Sequence, residues 1–125
     1  MNTAGANFLL SPEGREVVAA AELFPDDTLR AGARLRKLYP DVDPAHLSSA
    51  VELARARIRA RAKFALAGSM YFTSEALEQA TGEQAARHRA VRFRGMETVA
   101  DLCCGIGGDA IALGAAAGHI VCVDR

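Results

Sequence analysis

A chain of 125 residues, half of them hydrophobic and with zero formal net charge, is the size of about one domain and has the composition of a folded protein. No apolar run reaches the roughly 18 to 20 residues of a membrane span. The N-terminal stretch MNTAGANFLLSPEGREVV has no basic region ahead of its short apolar run, so no secretory signal is expected and the cytoplasm is the expected compartment.

Ser11-Pro12-Glu13 reads as a helix start: a capping hydroxyl, a proline suited to the first turn and an acid at the positive helix end. A helix over 12–23 follows, broken at Phe24-Pro25. Asp26 or Asp27 can cap a second helix to about residue 39, with Leu29, Ala33 and Arg36-Lys37 at helical spacing and Pro40 as its end. Asp43-Pro44 repeats the start signal. Leu47, Val51, Ala54, Ile58, Ala62 and Ala65 then recur every three or four residues, which predicts one long helix to about residue 66 with a single apolar stripe. On that helix Arg55, Arg59 and Lys63 share one face, while Arg57 and Arg61 lie on another.

Gly68 is placed to stop the helix, and SMYFTS reads as extended. A short helix over 74–80 is expected next. Thr81-x-x-Gln84 then has capping-box spacing for a helix to about residue 92. Residues 1–95 thus read as a helical domain.

From Glu97 the character changes. TVADLCC, with Val99 and Leu102, suits a buried parallel strand. GIGGD is a turn, AIALGAAAG a small-residue helix stopped by Gly118, and HIVCVD a second strand. Strand, glycine turn, helix and strand in succession make a right-handed β-α-β unit, and the fold class is α/β. The three cysteines, Cys103, Cys104 and Cys122, are odd in number and form no C-x-x-C pair. Neither a disulfide framework nor a metal site is expected; small buried side chains in strands are. His46, His88 and His119 have no partner pattern that argues for catalysis.

The neutral total hides an asymmetry: positions 30–94 carry thirteen basic and six acidic residues, a net of +7, between acidic flanks. That is a footprint for a polyanion such as RNA, with Arg55, Arg59 and Lys63 as its candidate contacts. Because Ala/Arg-rich helices often carry arginine on a solvated face, the charge alone does not define a groove.

Gly105, Gly107 and Gly108 let the backbone turn tightly and let a ligand approach the main chain, beside the free N–H groups of a helix start. Asp124, at the carboxyl end of the second strand and 19 residues beyond Gly105, can accept both hydroxyls of a ribose. The dinucleotide pattern G-x-G-x-x-G lacks its third glycine here, where Ala110 stands. Asp101 and Asp109 would repel a pyrophosphate but welcome a sulfonium and an amino group. The electrostatics therefore favour S-adenosylmethionine over NAD.

DLCCGIGGD, from Asp101 to Asp109, resembles motif I of the class I S-adenosylmethionine-dependent methyltransferases, and its finer form resembles their trimethylguanosine-synthase-like branch. YFTSEALEQATGEQAARHRAVRF resembles the preceding segment of bacterial relatives that carry a THUMP-like C-terminal domain. The likeness covers about residues 71–125, with 1–70 a looser match to that family's helical leader. It implies that Asp101, Cys103, Gly105 and Gly107 line the methionine end of the cofactor, that Asp109 sits near its amino-acid moiety and that Asp124 holds its ribose. It further implies that Phe72, Thr73 and Gln79 close over the pocket, and that the acceptor is RNA.

A whole fold of this class has about six or seven strands, and two are expected here. The chain therefore reads as an N-terminal fragment: a helical leader over 1–95 and the opening of a Rossmann-like cofactor domain over 96–125. It holds no defensible catalytic base and is expected to be inactive alone. Uncovered strand edges would favour self-association. An NAD-type fragment and a helical RNA-binding module remain as other readings.

Overall fold

Ser11 joins two helices with a single residue. Its hydroxyl donates to the Phe8 carbonyl (2.6 Å) and accepts from the Gly14 N–H (3.0 Å), so it closes α1 (Thr3–Leu10) and caps α2 (Pro12–Glu22). The cap of α2 was expected and α1 was not: none of its eight residues is charged, so no polar face marks it as a helix. A Cβ at Gly14 would lie 1.9 Å from the Phe8 carbonyl oxygen, so only glycine lets α2 begin this close to α1. The computed structural model describes residues 3–24 and 27–124, and it divides into two compact units, Met1–Arg59 and Ala60–Arg125.

The first unit continues with α3 (Thr28–Leu38) and most of α4 (Pro44–Ala60). Asp27 caps α3 by accepting from the Arg30 N–H at 2.9 Å; Pro25 and Asp26 lie outside the described residues. Asp43 accepts from the Ala45 N–H at 2.7 Å, as its place before Pro44 predicts. Leu9, Val17, Val18 and Leu35 are the largest fully buried side chains, each contributing about 1.5–3 kcal/mol by leaving water.

α3 forms as its spacing predicts, and the face it buries is Ala31 and Leu35, while Leu29 (86% exposed) and Ala33 face solvent. The expectation for α4 needs correction: it stops at Ala60, not near residue 66. Leu47, Val51 and Ala54 are buried as expected, but so are Ala50, Leu53 and Ala56, and Ala62 and Ala65 are exposed beyond the helix end. Lys63 therefore shares no helix face with Arg55 and Arg59. Arg57 is buried and pairs with Glu22 at 3.3 Å, an ion pair joining α4 to α2.

In the second unit Lys63 is a structural clamp. Its ammonium donates to the carbonyls of Leu77 (2.8 Å), Glu78 (3.2 Å) and Ala80 (3.4 Å), closing the C-terminal end of α5 (Ser74–Gln79). That is where a cation suits the helix dipole and the orphan carbonyls. Gly68 lies inside a 3-10 turn, Ala67–Ser69, and ends no long helix. The capping box at Thr81 and Gln84 does not form: α6 (Glu83–Ala90) starts from Gly82 without a side-chain cap. Glu83 instead accepts from the Ala65 N–H at 2.7 Å and pairs with Arg87. The Ala65 hydrogen bond, helped by Arg87 and opposed by partial desolvation, holds the Glu83 carboxyl below its ordinary value.

β1 (Thr98–Asp101) and β2 (His119–Cys122) pair in parallel, with Thr98 opposite His119 and Asp101 opposite Cys122, and α7 (Gly108–Ala116) connects them. Ala86 and Ala90 of α6 pack with Val99, Ala112 and Leu113 in one core cluster, with Phe93 and Ile120 against it. Small residues bring α7 close to the start of α6: a Cβ at Gly108 would come within 2.7 Å of the Thr81 carbonyl. The other sheet face is open. Leu102 (68% exposed), Val121 and Val123 face solvent, so Leu102 is not the buried strand residue its run predicted; β1 has already ended at Asp101. Cys103 and Cys122 are exposed and Cys104 is half-buried, a correction to their expected place in the core.

Candidate functional site

The two strands end on the same side, and the glycine turn rises between them. Gly105 (φ +52°) and Gly107 (φ +83°) both adopt the left-handed conformation that side chains disfavour. The Gly107 N–H donates to the Cys104 carbonyl (2.8 Å), and Gly107 then begins α7 without a capping side chain. The helix thus presents backbone N–H groups at its start.

Parallel pairing carries on past the strands: Val123 donates to the Asp101 carbonyl (2.9 Å) and Cys104 to the Val123 carbonyl (3.1 Å). These bonds deliver Asp124 to the turn, where its carboxylate accepts from the Gly105 N–H at 2.6 Å. Asp101 accepts from the Cys103 N–H at 3.4 Å, and its other oxygen is buried without a partner among the described residues. Asp109, in the first turn of α7, pairs with Arg89 of α6 at 2.6 Å; its second oxygen is likewise buried and unpartnered. Three carboxylates therefore converge on the glycine turn, one of them balanced by a guanidinium.

Beside the turn lies an open cleft of about 740 Å³. Of the residues singled out from sequence, Cys103, Gly105, Asp109, Asp124 and Gln79 line it. Asp101 and Gly107 belong to the same turn from behind. Phe72 is buried and Thr73 caps α5 by accepting from the Ala76 N–H at 3.2 Å; neither lines the cleft. Sequence reasoning missed Thr81, which lines the cleft, and Arg89, which does not. Thr81 was taken for a capping residue, and no local pattern links Arg89 to Asp109 across 20 positions. Partial burial pushes the Cys104 thiol above its ordinary value, and nearby Cys122, Asp124 and Asp101 push it the same way. A protonated thiol is a poor nucleophile, which agrees with a packing role for Cys104. A second, apolar groove of about 490 Å³ runs along α6 and α7, with Glu83, Arg87 and Arg94 at its rim.

Comparison with known proteins bears on both units. Residues 2–62, nearly the span of the first unit, match a family described as a domain of unknown function (DUF8688). No curated protein matches the chain. Among solved structures, the chain is similar to one titled "Crystal structure of putative methyltransferase from Porphyromonas gingivalis W83", with a TM-score of 0.69 and 22% identity. The match covers 93% of this chain and 29% of that one. The likeness establishes a shared fold. The chain spans less than a third of the length of the structure it matches.

The cleft has the size of a small-molecule site and two acidic lining residues, Asp109 and Asp124. Its volume is within the roughly 300–1,000 Å³ of small-molecule sites. Its charged lining residues are carboxylates, and among the described residues one buried oxygen of Asp109 lacks a donor, as does one of Asp101 outside the lining.

Proposed function

We propose that this chain forms the S-adenosylmethionine-binding part of a methyltransferase acting on RNA. The observation that carries the reading is the left-handed Gly105–Gly107 turn with Asp124 held across it by the Gly105 N–H. The fold shared with a structure titled as a methyltransferase supports it, as does the likeness of residues 101–109 to motif I. In this reading β1, α7 and β2 open a Rossmann-like sheet whose further strands pair with the exposed edges. The same edges would favour self-association of these residues in isolation.

The roles follow from position. Asp124 accepts from the ribose; a carboxylate has about four acceptor sites, so the Gly105 bond and a ribose hydroxyl can share it. Asp101, Cys103, Gly105 and Gly107 surround the methionine end, and Asp109 lies near its ammonium. Gln79, with Phe72 and Thr73 behind it, closes the side of the cleft. The cofactor, when bound, supplies an electrophilic methyl group on a sulfonium. The chain's own contribution is to bind and orient it. We infer that these 125 residues alone bind the cofactor without transferring methyl groups, the cleft carboxylates Asp109 and Asp124 being assigned to the cofactor itself.

Calorimetric titration with S-adenosylhomocysteine and, separately, NADH tests the proposal. Binding of the homocysteine nucleoside that Asp124→Ala weakens about tenfold or more would support it, in line with loss of a hydrogen bond to a charged group. Preference for NADH would replace the cofactor, and methyl transfer to bulk RNA by this chain alone would remove the inference of inactivity.

A further inference from the structure

The first unit puts an unusual helix on its surface. α3 carries Arg30, Arg34, Arg36 and Lys37 and no acid, and all four basic side chains are exposed. Arg30, Arg34 and Lys37 stand at i, i+4 and i+7, so they form one stripe about 10 Å long at 1.5 Å per residue. Acids that could have neutralised it are used elsewhere: Glu22 pairs with Arg57, and Asp43 holds the start of α4. Among the described residues, Asp27 is the one acid that pairs with the stripe, at 3.4 Å from Arg30 in an exposed pair that water and salt screen. Arg34 lies over the Phe24 ring, 5.4 Å from its centroid, which limits its wandering. Arg36 and Lys37 make no side-chain hydrogen bond or ion pair among the described residues.

We propose that this α3 stripe is a docking surface for the phosphate backbone of single-stranded RNA, with Arg34 and Lys37 as its principal contacts. The choice of RNA rests on the acceptor reading above; the surface itself does not. Charge complementarity identifies the partner: a row of uncompensated cations fits a repeating polyanion. An anionic membrane fits poorly. An interfacial helix must offer a continuous apolar face, and the apolar face of α3, Ala31 and Leu35, is already buried. Its two exposed leucines, Leu29 and Leu38, are nine residues apart and therefore about half a turn out of phase. This assigns the first unit the task of holding the acceptor strand. It also moves the contact away from Lys63, whose ammonium is taken by three carbonyls.

Fluorescence anisotropy of a labelled 20-nucleotide single-stranded RNA, titrated with the full chain at 50 and 200 mM KCl, tests it. Arg34→Glu with Lys37→Glu should weaken binding at least about tenfold at low salt, and should reduce the salt slope by about 1.4, the value for two lost contacts on a single strand. Arg34→Gln with Lys37→Gln should do the same to a smaller degree while keeping the helix, as circular dichroism would verify. Arg92→Glu with Arg94→Glu, an equal change of net charge in the second unit, should alter affinity less than about threefold. No RNA binding by the parent chain at 50 mM KCl would overturn the proposal. So would unaltered binding by both α3 variants, or equal loss in the Arg92/Arg94 variant. Co-sedimentation with phosphatidylserine vesicles that the α3 changes abolish, with RNA binding untouched, would give the stripe to membranes instead. Titration of the same variants with S-adenosylhomocysteine separates the two readings: its failure in the parent chain removes the cofactor assignment and leaves the RNA result standing.

Discussion

The two units solve the same problem with different materials. The first buries large aliphatic side chains, Leu9, Val17, Val18 and Leu35, between helices whose starts are marked by Ser11, Asp27 and Asp43. The second packs α6 on α7 through Ala86, Ala90 and Ala112, and its turn is made of glycine. Large side chains hold helices by area removed from water. Small ones hold them by close approach, and they leave the backbone accessible. That accessibility is what a cofactor cleft needs, and the glycine turn that borders the candidate site lies where α6 and α7 meet through small residues, although the same unit buries Phe64 and Phe72 elsewhere.

Gly14 is the exception that tests this contrast, since it is a close-approach residue inside the large-residue unit. Gly14→Ala should cost about 3 kcal/mol in urea unfolding, because its Cβ would meet backbone that cannot yield. A cost below about 1 kcal/mol would mean that α1 moves freely on α2. Next in size, Glu22→Ala should cost about 2 kcal/mol by removing an anionic partner of the buried Arg57, with Glu22→Gln nearer to the parent in the same assay. In the second unit Gly107→Ala should cost about 1–2 kcal/mol for its left-handed backbone. It should also weaken S-adenosylhomocysteine binding; a loss of stability with affinity retained would make the turn merely structural.

The smallest effect belongs to Glu83. Its folded carboxyl titrates below the ordinary value, so its tie to Ala65 is fully present above the unfolded carboxyl range and is lost as pH falls through the folded value. The Ala65 amide should therefore keep its hydrogen-bonded chemical shift on mild acidification and lose it only below the usual glutamate range. A transition at the usual value would place the Ala65–Glu83 bond outside the solution structure.

Local signals were readable wherever one residue contacts its near neighbours. Ser11, Asp27 and Asp43 cap as their spacing predicts, and the β-α-β order with its glycine turn was visible in 28 residues. Signals failed where a competing long-range contact exists. Thr81 and Gln84 had capping-box spacing, but Glu83 is bound to Ala65, 18 positions away, and α6 starts from Gly82. Lys63 had helical spacing from Arg59, but the carbonyls at the end of α5 hold it.

Single residues force the backbone conformation at a few places: the proline and acid starts of the helices, and the glycines that tolerate positive φ at 105 and 107. Those are one-residue constraints, and they act before the chain is packed. Only the tertiary structure decided which side chains meet. It brought Arg89 to Asp109 and Asp124 to Gly105, and it left Arg34 and Lys37 in water while burying Arg57 against Glu22. Arginines of like local sequence can be buried or solvated alike, and the partner on a neighbouring element chooses between them.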